Sequence, residues 1–378
     1  MKSQDLYYLV GNQAVHNQLE ASRLDYVTKA GRRFYIYEKQ YDSVDWTQEP
    51  AVDYDIMCRN RALQLRQKWK KLCLLFSGGS DSSDILRIFL ENKIPLDELI
   101  IFRHIHNPVR RYEADHYKIP LARWYCEQQP GLTYRVYDIT ESNYQQDYRN
   151  PDWLEGKGKM SAQMGMSSWL FNDMLENNRS YSAEHNVGYI NGLEKARLWV
   201  DNGSWYMRQI DKIFEYQSLQ ETSIEFFYLA PDMPEFYVKQ CWMLINYLES
   251  KYSDIDSSFI QRLYDSKNPL YQELVAGSNR KYYLDALSRT PSRIRDGTDK
   301  IKYIDNDPGN QKLLADAASQ NWKCVDHYSD ILAQLRKNES YLFNQGEPLK
   351  GIIGTYGKSY YIKPVAKEIT HATISSAV

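Results

Sequence analysis

The stretch LCLLFSGGSDSS, residues 72–83, decides the fold of this 378-residue chain. Its first five residues are all apolar, as expected of a parallel strand that is buried on both faces. The glycines that follow let the backbone turn sharply and expose successive N–H groups, and the serines add hydroxyl donors. A helix beginning after this loop would point its positive end at the same place, so the stretch predicts a phosphate or pyrophosphate site. A plain strand-to-helix turn is the alternative, although one glycine would suffice for it.

The segments on either side of this stretch alternate between helical and strand patterns. A helix is predicted over residues 53–71, with one apolar face formed by Ile56, Ala62, Leu63, Leu65 and Trp69. Further strands are predicted at 98–102, 133–139 and 187–190, and further helices at 83–90, 112–128 and 162–176. This alternation predicts an α/β fold with a parallel sheet and helices on both faces. In such a sheet the ligand lies at the carboxyl ends of the strands.

The flanking regions differ from this core. Residues 1–50 predict a small β-rich cap, residues 51–230 the nucleotide-binding domain and residues 231–378 a mainly helical region. In the last region, helices are expected at 235–248, 258–264, 310–319 and 328–335, and a hairpin at 351–364. Another hairpin is expected at 199–210, near the end of the nucleotide-binding domain.

Composition limits the classes of function. The 47 Lys and Arg residues nearly cancel the 49 Asp and Glu residues, so the formal charge of −2 gives no general attraction to nucleic acid. No apolar run is long enough to cross a membrane. The start of the chain does not resemble a secretory signal, and the five cysteines form no CxxC pair, so we expect a reducing, cytoplasmic setting. The 32 tyrosines are expected mainly as half-buried packing residues.

The loop carries a resemblance to a known family. Residues 77–82, SGGSDS, match every fixed position of the SGGxDS signature of the PP-loop ATP pyrophosphatases. The likeness in element order covers roughly residues 53–240 and is greatest for the synthetase domain of asparagine synthetases, which carries a second acidic and glycine-containing motif where this chain has NGLEKAR, residues 191–197. The stretch PDMPEF, residues 231–236, is faintly similar to 7-cyano-7-deazaguanine synthases, but the four zinc cysteines of those enzymes are missing.

The resemblance implies an adenine nucleotide alpha hydrolase-like fold, with ATP bound over the loop and Mg²⁺ bridging its phosphates. A carboxylate or amide oxygen of a small-molecule substrate would attack the α-phosphorus, pyrophosphate would leave, and ammonia or an amine would take the activated group. Asp81 would act through Mg²⁺ or by orienting the loop, and an acidic residue in a first helical turn is also favoured by the helix dipole. The residues implied in nucleotide binding are Phe76, Ser77, Gly78, Gly79, Ser80, Asp81, Ser82, Arg103, Lys159 and Gly192.

Several cations are candidates for the same edge of the sheet. Lys195 and Arg197 follow the fourth strand, and we expect Lys195 to reach the leaving phosphates, with a solvated lysine as the alternative. Lys159 lies in the run EGKGK, residues 155–159, which predicts either a lid over the nucleotide or a solvated loop. Arg103 follows the second strand and is a candidate substrate contact. His104 and His106 could ligate a metal, although no third ligand is nearby in the sequence.

Two other motifs lead to weaker interpretations. Residues 351–359, GIIGTYGKS, have the wrong glycine spacing for a Walker A loop and continue into a strand pattern. Cys324 and His327 have the Cys-x-x-His spacing of the phosphoadenylylsulfate reductases, without the neighbouring residues of that tail.

The sequence is compatible with three functions. They are an AMP-forming ligase, a PP-loop sulfur transferase or reductase that depends on Cys324, and a nucleotide-binding partner protein without turnover. The first cysteine is Cys58, so we expect no N-terminal cysteine nucleophile for glutamine hydrolysis. Nitrogen would then come from ammonia, an amine or a partner protein.

Overall fold

A computed structural model describes residues 6–15, 21, 24–25, 27–105, 108–140, 186–192, 196–210, 224–264 and 356–366. The elements follow in the order β1 (Leu6–Val10), β2 (Gln13–Val15), β3 (Arg32–Ile36), α1 (Glu38–Tyr41), α2 (Tyr54–Lys68), β4 (Lys71–Leu75), α3 (Ser80–Glu91), β5 (Glu98–His104), α4 (Pro108–Glu113), a π-helix (Ala114–Lys118), α5 (Ile119–Gln128), β6 (Thr133–Ile139), β7 (Val187–Asn191), β8 (Leu198–Asp201), β9 (Ser204–Ile210), β10 (Ile224–Phe226), α6 (Pro234–Lys251), α7 (Ser257–Tyr264) and β11 (Tyr356–Pro364).

The centre of the fold is a five-stranded sheet with the order β10-β7-β4-β5-β6. All four neighbouring pairs are parallel. The strands predicted at 72–76, 98–102, 133–139 and 187–190 are all present, so the predicted parallel α/β sheet is confirmed. The short edge strand β10 was not predicted. The helix predicted at 162–176 lies outside the described residues.

Strand β4 is buried on both faces of the sheet. Leu72 and Leu74 belong to one apolar cluster, which they share with the helices α2, α3 and α5. Cys73, between them, belongs to the other cluster. Because successive side chains of a strand point to opposite faces, this division explains the continuous apolar run from which the strand was predicted.

The second face of the sheet is covered by helix α6 together with two antiparallel sheets. Tyr237, Cys241 and Leu248 of α6 share the cluster of Cys73. The sheets have the orders β2-β1-β3 and β11-β9-β8, and their buried residues join the same cluster. Helices therefore lie on both faces as predicted, but strands share the second face with them. The predicted helices at 310–319 and 328–335 lie outside the described residues.

The prediction of a hairpin at 199–210 is confirmed, and the described part of the predicted terminal hairpin, Tyr356–Pro364, is one strand. Strands β8 and β9 are joined by Asn202 and Gly203, both with positive φ, as a tight hairpin turn requires. Strand β11 pairs antiparallel with β9, for example through Tyr360 opposite Met207. Strand β8 pairs with one edge of β9, and β11 pairs with the other edge.

The helix α2 begins where the sequence indicates but buries a different side. Its N-cap Asp53 accepts a hydrogen bond from the N–H of Asp55 at 2.8 Å. The predicted apolar face is partly wrong, because Ile56 is 51% exposed whereas Arg61 is buried. Arg61 is buried because it is paired with carboxylates of Glu225 and Asp232, at 3.4 and 3.2 Å. Partners distant in sequence thus decide which side of the helix faces inward.

The helix predicted at 112–128 begins earlier, at Pro108, and has a π-helical segment in its middle. Among the helices that the structure describes, none has both the length and the apolar character needed to cross a bilayer.

We predict that Gly188→Ala destabilises the sheet. A Cβ atom built on Gly188 in β7 would lie 2.4 Å from Cγ of Trp69, whose indole N–H donates to Glu225 at 3.0 Å. The ring would have to move, and overpacking of this kind costs about 1–3 kcal/mol. Urea denaturation measures the loss in the free energy of unfolding. An unchanged denaturation midpoint would contradict this packing of Trp69 on β7.

Candidate functional site: a loop at the carboxyl edge of the sheet

The loop between β4 and α3 is shaped by its two glycines. The buried Phe76 extends the sheet by one residue, since its N–H donates to the carbonyl of Ile100 at 2.8 Å. Gly78 then takes φ +69°, a left-handed conformation that suits glycine. Gly79 is the N-cap of α3. The chain thus turns from strand to helix within the predicted segment, at the carboxyl end of β4.

The serines of the loop hold its shape. Ser77 Oγ accepts a hydrogen bond from the N–H of Gly79 at 3.2 Å and lies 3.1 Å from Ser82 Oγ. The hydroxyl of Ser82, which is buried, lies 3.2 Å from the carbonyl oxygen of Gly79 and donates to it. Ser77 itself is exposed. Ser80 is the first residue of α3, and its side chain is not described.

Helix α3 is anchored by a buried polar group that the sequence did not indicate. Asp84 accepts hydrogen bonds from the Tyr228 hydroxyl at 2.9 Å and from Arg87 at 2.8 Å. Burial alone would lower the pKa of Arg87, but the carboxylates of Asp84 and Glu91 outweigh it and raise that pKa above its ordinary value. Tyr228 follows the edge strand β10, and its hydroxyl also lies 3.4 Å from the carbonyl oxygen of Asp81. The network fixes the direction in which the N-terminus of α3 points.

Gly192, in the second motif at residues 191–197, lies beside the loop at the carboxyl edge of the sheet. Strand β7 pairs with β4, and Gly192 follows it. A Cβ atom on Gly192 would lie 3.0 Å from Ile85 Cδ1 and 3.3 Å from Asp81 Cβ. The Gly192 backbone therefore packs directly on the first turns of α3, beside Asp81. Arg197 is half-buried before β8, whereas Lys195 lies outside the described residues.

Asp81 lies in the first turn of α3 and is half-buried. Within the described residues no group of three or more His, Cys, Asp or Glu side chains could hold a metal ion by itself. Mg²⁺ is commonly bound by one or two carboxylates together with phosphate oxygens and water, so the single carboxylate of Asp81 would fit this ion if the loop holds phosphates. His104 is buried at the end of β5, and His106 lies outside the described residues.

Arg103 lies within β5 and not after it, and carboxylates already hold it. Its Nε and Nη2 donate to the two oxygens of Asp138 at 2.6 and 2.7 Å, and its Nη1 donates to Asp115 at 3.0 Å. The hydrogen bonds from Arg103 hold the pKa of Asp138 below its ordinary value. Arg103 is thus near the ligand edge, in a structural ion pair. Its predicted contact with substrate stays a prediction.

A lysine that the sequence did not single out lies against the loop. A Cβ atom on Gly78 would be 3.2 Å from Cγ of Lys118 and 3.3 Å from a ring carbon of Tyr117. Both residues belong to the π-helical segment, and the Lys118 ammonium is 2.7 Å from the carboxylate of Glu113. No sequence signal marked Lys118, because its nearness to the loop results from the packing of two distant segments.

The four described cysteines are poor nucleophiles. Burial raises the pKa of each of them, and for Cys73 burial together with the neighbouring Glu98 raises it to about 12. Because the thiolate is the reactive form, these side chains are inert near neutral pH. Cys324 and His327 lie outside the described residues, as does Lys159.

The fold and the site together define a parallel α/β protein with a glycine-containing strand–loop–helix junction at the carboxyl edge of its sheet. No protein-family model and no curated protein matches the chain. Among solved structures, it is similar to an NMN synthetase from Francisella tularensis, with 11% sequence identity and a TM-score of 0.26. The alignment covers 38% of this chain and 56% of that one, little more than half of its length. A likeness at this level establishes neither the fold nor the function.

We predict that Gly192→Ala disturbs the loop through Asp81 and Ile85. The added methyl group would be too close to Ile85 Cδ1, so the first turns of α3 must shift, at a cost of about 1–3 kcal/mol in the free energy of unfolding. Denaturant unfolding measures this cost.

The control is a double-mutant cycle with Ile85→Val, which removes the Cδ1 atom that the new methyl group would meet. We expect the double variant to lose less stability than the sum of the two single variants. Strict additivity of the two losses would contradict the contact between Gly192 and α3.

Proposed function

We propose that this protein is an ATP-using synthetase that cleaves ATP between its α and β phosphates, activates a carboxylate or amide oxygen as its adenylate, and passes the activated group to an amine or ammonia. The observation that carries the proposal is the SGGSDS loop, residues 77–82, at the carboxyl end of the central strand with the start of a helix behind it. The packing of Gly192 against Asp81 supports the same site, because it brings the second motif to the loop.

The loop is suited to hold the departing pyrophosphate. Gly78 and Gly79 carry no side chains that would block the approach of phosphate oxygens, and the positive end of α3 favours negative charge there. The hydrogen bonds of Ser77 and Ser82 hold the loop in place before any ligand arrives. Donors that are already in position need no reorganisation as charge develops, and such groups stabilise a transition state most effectively.

Each remaining candidate has a distinct role in the proposal. Asp81 supplies a carboxylate for Mg²⁺, which when bound neutralises phosphate charge. Lys195 and Arg197 follow β7 in the sequence, and the proposal gives them the role of adding positive charge at the same edge. The substrate oxygen forms a bond to the α-phosphorus while the bond to the bridging oxygen breaks, and pyrophosphate leaves with that electron pair. The amine then displaces AMP from the activated carbon and loses a proton.

The test of this function is product analysis. The purified protein is incubated with Mg-ATP and pools of candidate metabolites, and nucleotides and adducts are identified by mass spectrometry. We expect AMP, pyrophosphate and an amide or related adduct. ADP and phosphate as the sole nucleotide products would exclude the proposal. Tight ATP binding with no turnover in any pool would favour a binding protein instead.

We predict that Asp81→Asn abolishes formation of AMP and pyrophosphate while the fold is retained. The amide has the shape of the carboxylate but lacks the charge that Mg²⁺ requires. Pyrophosphate release and thermal unfolding are measured side by side. Asp201→Asn, at an exposed position beside the β8–β9 turn, is the matched control and should leave both unchanged. Turnover at the wild-type rate in Asp81→Asn would remove Asp81 from the site.

We predict that Lys195→Ala lowers kcat by roughly a hundredfold to a thousandfold, the usual effect of removing one positioned donor from developing charge. The affinity for ATP should fall less than kcat, since the charge on the leaving group grows as the bond breaks. Lys195→Arg should restore part of the rate, because a guanidinium does not occupy the place of a compact ammonium. Steady-state pyrophosphate release at varied ATP concentration measures kcat and KM for both variants. A near wild-type rate in Lys195→Ala would show that this residue is an ordinary solvated lysine.

A further inference from the structure

The π-helical segment Ala114–Lys118 places a cation beside the phosphate loop. The N–H of Ile119, just after the segment, donates to the carbonyl of Ala114, five residues earlier. Such a widened turn is rare in proteins and occurs often at functional sites. Here it brings the stems of Tyr117 and Lys118 to within van der Waals distance of the place where a Gly78 side chain would begin. The loop and this turn therefore form one packed unit.

The contact with Glu113 turns the ammonium of Lys118 toward the N-terminal end of its helix, which starts near the carboxyl end of β5. The chain leaves the carboxyl end of β5 at His104 and enters the helix at Pro108, so the helix runs away from the ligand edge. Glu113 lies about one turn closer to that edge than Lys118. The 2.7 Å contact with Glu113 Oε1 draws the ammonium in that direction, as side chains in helices lean toward the N-terminus.

The Lys118 and Glu113 pair is well shielded, with both side chains 13% exposed. A shielded ion pair adds little to stability, because the loss of hydration offsets the attraction between its charges. Its value here is that it positions the lysine beside the loop. A bound pyrophosphate group carries more negative charge than one carboxylate and can compete for the ammonium.

We infer that Lys118 is a phosphate ligand of the site formed by residues 77–82, and that Glu113 holds its ammonium in place until the phosphates bind. The inference rests on the proposed function, since it assigns a further residue to the same phosphates. Lys118 then approaches the phosphates from the side of β5.

The experiment measures binding of two probes, inorganic pyrophosphate with Mg²⁺ and Mg-ATP, by titration calorimetry. Lys118→Met keeps an unbranched side chain, one atom shorter, and removes its charge. We expect the affinity for both probes to fall about tenfold to a hundredfold, the usual loss for one charged hydrogen bond.

The matched control is Lys71→Met, which breaks a Lys–Glu pair of similar length, 2.8 Å to Glu98, at the opposite edge of the sheet. It should lower stability without changing either affinity. Equal affinities in wild type and Lys118→Met would overturn the inference, and so would an equal fall in the Lys71→Met control.

Glu113→Gln separates a binding role of Lys118 from a structural one. If the pair only stabilised the π-helical segment, its loss would weaken binding in Glu113→Gln as it does in Lys118→Met. As a phosphate ligand, Lys118 should bind pyrophosphate as tightly as in wild type, or more tightly, because the glutamine oxygen still accepts a hydrogen bond from the ammonium while the competing negative charge is gone. Weaker binding in Glu113→Gln would overturn the inference even where Lys118→Met fails to fold.

The two probes distinguish this inference from the proposed function. Lys118-dependent binding of pyrophosphate without any formation of AMP would keep the inference and exclude the synthetase. Formation of AMP and pyrophosphate with no effect of Lys118→Met on binding would keep the synthetase and exclude the inference. No binding of either probe to the wild-type protein would exclude both.

Discussion

Strand β4 hydrogen-bonds in parallel to β7 along four residue pairs, from Lys71 opposite Val187 to Leu74 opposite Ile190. Two separate segments of the chain leave this pair at the same level, one as the loop that begins after Phe76 and the other as Gly192. A slip of one residue would turn the apolar side chains of β7 to the wrong faces, so burial of the sheet fixes the register. The position of the loop relative to Gly192 therefore follows from the packing of the core.

Burial also determines the direction of helix α3. The helix packs its apolar side on the sheet through Ile85 and Phe89, and its one deeply buried carboxylate, Asp84, is held by Arg87 and Tyr228. A buried carboxylate without partners costs roughly several kcal/mol. Because rotation of the helix would separate Asp84 from Tyr228, the arrangement tolerates little rotation. The edge strand β10 thereby contributes to the site, since it delivers Tyr228. Its effect on the loop is indirect, through the helix.

The sequence predicted the elements whose signals are local and missed those that depend on distant partners. Strand β6 and the loop after β4 were predicted because strand patterns, glycines and serines have local physical causes. Strand β10 is only three residues long and gives no such pattern. Arg61 is not part of the predicted apolar face of α2, and carboxylates far away in the sequence hold it in a buried position. Lys118 was missed for the same reason, because only the packing of distant segments brings it to Gly78.

The cations near the edge differ in how firmly they are already engaged. Arg103 donates to three carboxylate oxygens, from Asp138 and Asp115, so a phosphate would have to replace a forked ion pair. Lys118 pairs with the carboxylate of Glu113 on its own helix, and an ammonium can turn between acceptors more readily than a planar guanidinium. Competition for Lys118 is consequently the easier exchange. The same reasoning gives Arg103 the role of fixing β5, β6 and the π-helical segment, which holds Lys118 against the loop.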